Sequence, residues 1–92
     1  MQDMEDKYIG DNMNYKNLYY EIEEIAKNYS EVEIVDGDYD KNGGYISIWG
    51  NPYEQQAEIL MNKLKKIPGI KKIELTIAQD KEEDYDILTI EF

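Results

Sequence analysis

Carboxylates, phenols, lysine ammonium groups and a single indole are the side chains here that could carry chemistry. One acidic run is Glu31, Glu33, Asp36, Asp38 and Asp40. Within it, Asp38-Tyr39-Asp40-Lys41-Asn42-Gly43 matches the first six positions of a calcium loop, where a hard cation needs several oxygens converging on one point. The twelfth position should be a bidentate glutamate but is Trp49, and the flanks read as strands. A polar hairpin turn explains the same residues, because Asn-Gly suits a tight turn and acids are tolerated there. No metal site is therefore expected. The chain has no histidine and no cysteine, and all ten basic residues are lysine. It lacks the usual general base, the thiolate nucleophile and metal ligand, and the bidentate guanidinium fork. Ser30 and Ser47 have no base to activate them. Paired carboxylates could exchange protons, but nothing in the pattern marks a buried one with a raised pKa. The expectation is a protein that is not an enzyme and holds no cofactor.

What remains is a surface. Tyr45, Trp49, Tyr85 and Ile87 are expected on one outward sheet face, together with Glu33, Glu74 and Glu91. Aromatic side chains on an open sheet can stack nucleic-acid bases, but that needs surrounding positive charge. Aromatics ringed by acids suit a basic protein partner instead, with the rings as anchors and the acids steering the approach. The charge distribution agrees. Net charge is −11, with −10 over residues 1–62, +5 over 63–72 and −6 over 73–92. Such a field repels nucleic acid and anionic membrane. A solubilising acidic coat would look the same in composition. The basic stretch, Lys63, Lys65, Lys66, Lys71 and Lys72, could contact phosphate. It is read more simply as lysines complementing a helix C-terminus and balancing strand glutamates.

These residues must be positioned by a small framework. Ninety-two residues allow one domain with one modest core. Residues 1–13 show no periodicity and are expected to be a flexible N-terminal segment, with Tyr8 and Ile9 docking; residues 14–92 form the domain. From Asn14, the residues Tyr15, Leu18, Tyr19, Ile22, Ile25, Ala26 and Tyr29 share a helical face, and Glu23 and Lys27 make an i,i+4 pair. Val32 and Ile34 alternate with Glu31 and Glu33 in a first strand, and Asp36–Gly43 reads as a turn. Gly44–Gly50 is the organising strand, with Ile46 and Ile48 inward and Tyr45, Ser47 and Trp49 outward. Asn51 as N-cap, Pro52 at the first helical position and Glu54 as the capping-box acid start a second helix. It runs to about Lys66, with Tyr53, Ala57, Leu60, Met61 and Leu64 inward, and Pro68-Gly69 stops it. Ile73, Leu75 and Ile77 mark a third strand. Tyr85–Phe92 is a fourth, apolar on both faces and so central.

The order α-β-β-α-β-β predicts an α+β two-layer sandwich, a four-stranded sheet with two helices on one face. Placing the last strand beside the second gives a circularly permuted ferredoxin-like sheet, which is the preferred solution because that strand reads as buried. Residues 21–79 resemble the BON domain in layout. Gly43-Gly44-Tyr45-Ile46-Ser47-Ile48-Trp49-Gly50 stands where that family has alternating apolar residues between glycines, and Ile67-Pro68-Gly69-Ile70-Lys71-Lys72-Ile73 is similar to its proline-glycine turn into a strand. The resemblance implies binding to phospholipid or envelope components. In composition alone the chain is similar to small acidic phage anti-defence proteins, including anti-CRISPR proteins and DNA mimics.

The functional expectation is a protein-binding inhibitor that occupies a basic, nucleic-acid-binding surface. Glu31, Glu33, Asp36, Asp38 and Asp40 would stand in for phosphates, Tyr45, Trp49 and Tyr85 would anchor, and Glu74 and Glu91 would share the face. Alternatives are a BON-like or ferredoxin-like ligand-binding module and a homodimeric structural protein. The N-terminus lacks a secretion-signal pattern and no apolar run is long enough to span a bilayer, so a cytoplasmic location is expected.

Overall fold

A computed structural model describes residues 14–92. The lead-in expected over residues 1–13, with Tyr8 and Ile9, lies outside the described residues. The elements are α1 (Tyr15–Ala26), β1 (Val32–Asp40), β2 (Gly43–Gly50), α2 (Gln56–Leu64), β3 (Lys72–Thr76) and β4 (Asp86–Glu91). All neighbouring strands are antiparallel, in the order β1-β2-β4-β3. The last strand does insert beside the second, and β2 and β3 consequently run parallel with β4 between them. This is the permuted ferredoxin-like order. Among the described residues no helix is long and apolar enough to cross a membrane.

Both helices cover one face of the sheet. Leu18, Ile22 and Ala26 of α1 and Leu60 and Leu64 of α2 meet Ile46 and Ile48 of β2 and Leu88, Ile90 and Phe92 of the last strand in one cluster. Alternation in β2 and β4 sends every second residue into that cluster and the others outward. Asn14 caps α1, its Oδ1 accepting from the Asn17 backbone N–H at 3.1 Å. The expected Glu23–Lys27 pair does not form; Lys27 sits instead against Glu24 at 3.3 Å.

Three boundaries differ from expectation. First, β1 does not end near Ile34 but continues to Asp40, and the hairpin narrows to Lys41 and Asn42 between the paired residues Asp40 and Gly43. Asp40 Oδ1 accepts from the Asn42 N–H at 2.7 Å, bracing the turn. The left-handed conformation falls on Gly43, φ 148°. Second, α2 starts four residues later than its cap-like sequence suggests. Asn51 spends its side chain locally, Oδ1 accepting from Tyr53 N–H at 2.9 Å and Nδ2 donating to Glu31 Oε1 at 2.9 Å. Gln55 then adopts φ 58°, which no helix can contain, so Tyr53 faces solvent rather than the core. Third, β3 ends at Thr76, and Ile77 is exposed beyond it.

Candidate functional site

The face of the sheet opposite the helices is uncovered among the described residues, and one irregularity decides what it presents. Val32 and Ile34 point to the core. Strict alternation would send Asp36, Asp38 and Asp40 the same way. The β1–β2 register shifts between Ile34 and Asp36 instead, leaving Val35 as the extra residue of a β-bulge. Beyond it the parity is reversed. Gly37 and Tyr39 turn inward, where the Tyr39 ring lies 5.2 Å from that of Tyr19. Asp36, Asp38 and Asp40 turn outward onto the face that already carries Glu33.

Cross-strand register then lays the face out in three rows. Glu33, Trp49, Ile87 and Thr76 form the first, Asp36, Ser47, Thr89 and Glu74 the second, and Asp38, Tyr45, Glu91 and Lys72 the third. Along β1 the outward carboxylates follow one another at ~7 Å steps beyond the bulge, from the strand rise of ~3.4 Å per residue. Lys72 Nζ lies 3.7 Å from Glu74. That pair and Lys27–Glu24 are the ion pairs within the described residues, so Glu33, Asp36 and Asp38 make no ion pair with a described lysine, and Glu91, opposite Lys72 in the third row, makes none within 4 Å. Asp36 Oδ2 accepts from the Tyr45 hydroxyl at 3.3 Å. The Asp36 charge, then partial burial and this hydrogen bond, push the Tyr45 phenol above its ordinary pKa. Asp36 Oδ1 and Asp38 Oδ1 also accept from the next residues' backbone, Gly37 N–H at 2.9 Å and Tyr39 N–H at 2.8 Å. β1 is an edge strand, and these are amides it would otherwise offer to a neighbour.

Two expected site residues are tied into local structure. Glu31 is half-buried before β1 and works as a clasp. Its carboxylate takes the Asn51 side chain, its carbonyl accepts from Asn51 N–H at 2.9 Å, and its own N–H donates to Gln56 Oε1 at 2.9 Å. Asp40 belongs to the hairpin turn. The calcium-like pattern is consumed the same way, with Asp38 in the strand and Asp40 bracing the turn. Among the described residues no three acidic side chains are grouped to hold a metal ion.

At the first-row end of the face, the Trp49 and Tyr85 rings stack with centroids 4.9 Å apart and planes 16° from parallel. Both are substantially exposed, Trp49 at 40% and Tyr85 at 51%. They form a ridge between two hollows. The one on the α2-connector side has a volume of about 420 Å³ and is walled by Glu31, Glu33, Tyr53, Glu82 and Asp84 as well as the ridge. The one on the β3 side has about 410 Å³ and is walled by Ile77, Ala78 and Ile87. Tyr53 donates its hydroxyl to Glu82 Oε2 at 2.7 Å, and this bond and partial burial raise the phenol's pKa. The loop beneath is held by Asp86. This carboxylate is buried, and its Oδ1 accepts from the Ala78 N–H at 2.8 Å.

No family model, curated protein or solved structure matches this chain. Tyr53, Glu82 and Asp84 were not foreseen as part of the surface. The spacing places Tyr53 in a helix that starts later, and residues 79–84 show no period between the third and fourth strands. A usable signal was Asn51 itself, since an asparagine followed by proline closes its own turn as readily as it caps a helix.

Proposed function

We propose that this protein is a non-enzymatic inhibitor that binds a basic surface of another protein, and that a phage anti-defence protein blocking the nucleic-acid site of a host nuclease is the concrete case. The observation that supports this most is the open sheet face. It presents Glu33, Asp36, Asp38 and Glu91, none of them ion-paired to a lysine among the described residues, around the exposed rings of Tyr45 and Trp49. Uncompensated carboxylates steer a cationic partner and can raise its on-rate by one to three orders of magnitude at low salt. Buried aromatic anchors then supply ~2 kcal/mol or more each. The same charges oppose anionic lipid and nucleic acid, and they oppose a face-to-face pair of copies, so a basic protein is the occupant that fits.

Affinity capture from host extract, followed by mass spectrometry at low and at high salt, tests the proposal. Basic nucleic-acid-binding proteins should be retained at low salt and largely lost at high salt. The quadruple variant Glu33→Gln, Asp36→Asn, Asp38→Asn, Glu91→Gln should retain them at least tenfold less well. Retention indifferent to salt and to these substitutions, or recovery of lipid instead of protein, overturns it.

A further inference from the structure

The ridge and its two hollows differ in character, and that difference narrows the partner's chemistry. On one side, carboxylates of Glu31, Glu33, Glu82 and Asp84 surround the faces of Trp49 and Tyr53. A cation already rests on this wall, since Lys81 Nζ lies 5.6 Å from the Tyr53 ring centroid. Lys81 makes no ion pair within 4 Å among the described residues, so it covers the ring without neutralising the acids. On the other side, Ile77, Ala78 and Ile87 offer an apolar wall against the same stacked rings, while Glu83 and Asp84 line this hollow as well as the first. Ile77 is 54% exposed and Ile87 37%, so this wall is open to contact.

We infer that the Trp49–Tyr85 ridge is a bipartite docking point that accepts an arginine side chain of a partner protein in the acidic hollow and a large aliphatic side chain in the apolar one. The inference rests on the proposed function and specifies which part of the face does the anchoring. Arginine fits the acidic hollow better than lysine. Its planar guanidinium stacks on an aromatic face and offers a fork to carboxylates, whereas an ammonium is a compact, strongly hydrated point charge. The aliphatic neighbour would cover the other side of the rings, excluding water from the charged contact and so strengthening it.

Trp49 is the only tryptophan, so its emission reports on the ridge directly. The full chain is titrated with a synthetic peptide repeating Arg-Leu-Gly, with anisotropy of a peptide label giving affinity and Trp49 emission giving location. Comparison peptides replace arginine by citrulline, by lysine, or leucine by serine. The parent peptide should bind with a saturable change in Trp49 emission. Citrulline should weaken binding at least tenfold, serine about tenfold and lysine severalfold. Tyr85→Ala should weaken the parent peptide about tenfold; Tyr85 is exposed, and a melting curve verifies that the variant folds. If the serine peptide binds as tightly as the parent, or Tyr85→Ala changes nothing, the face is an undifferentiated electrostatic surface and the inference falls while the proposed function stands. If no basic peptide binds at all, both fall.

Discussion

Single side chains on this molecule are committed to structure or to surface, and each commitment has a measurable consequence. Asp86 is the buried carboxylate at the base of the 77–85 loop, and its acceptor satisfies the Ala78 amide. Asp86→Ala should cost about 1–3 kcal/mol in urea unfolding by orphaning that amide, and Asp86→Asn, which keeps the acceptor, should cost clearly less. Gly44 is glycine because a Cβ there would lie 2.5 Å from the Phe92 ring and 2.7 Å from the Asp38 carbonyl oxygen. Gly44→Ala should destabilise by about 1–3 kcal/mol. The phenols of Tyr45 and Tyr53 titrate above the ordinary value of 10.0, the first chiefly from the Asp36 charge and the second chiefly from its bond to Glu82. A phenol raised in the folded state stabilises it fully below the unfolded value, and that contribution is lost as pH rises through the folded value. Tyrosinate absorbance should therefore show these two groups ionising late. Asp36→Asn should move the Tyr45 step back towards 10.0 while leaving that of Tyr53 in place.

At the scale of elements, the bulge at Val35 decides which side chains of β1 reach the open face. Deleting Val35 would remove the bulge and, because Asp36 would then follow the inward Ile34 directly, leave Asp36, Asp38 and Asp40 outward in regular alternation. Burying carboxylates without partners costs several kcal/mol each, which opposes any slip that turns these three inward, so the deletion should still unfold cooperatively when followed by circular dichroism. Val35→Ala keeps the extra residue and should stay within ~0.5 kcal/mol of the parent protein. This element also marks where the sequence could be read and where it could not. Ile46, Ile48, Leu88 and Ile90 alternate without interruption, so β2, β4 and the buried position of β4 were legible from period alone. In β1 the period breaks at Ile34-Val35, and Asp36, Gly37 and Asp38 have poor strand propensity, so the second half of the strand looked like turn. The outward set Glu33, Tyr45, Trp49, Glu74 and Glu91 followed from alternation. Tyr53 and the 81–85 wall did not, because their placement depends on the left-handed Gln55 and on the Asn51–Glu31 clasp, which are tertiary facts.

For the whole molecule, net charge of −11 acts with opposite sign on two observables. Self-repulsion weakens the compact state, and screening relieves it. Raising sodium chloride to about 0.5 M, where the Debye length is only a few Å, should raise the melting temperature while it loosens any basic partner. A protein whose acids served solubility alone would show the first effect without the second. Asp36 and Asp38 each occupy an amide at the border of the sheet, and in ionised form they place charge beside any strand that tries to add there. Replacing both by asparagine removes that charge from a border nine residues long. The folded monomer of that double variant should then become a template for fibrils, growing by cross-β addition along this border and seeding thioflavin-positive aggregates that the parent protein does not form.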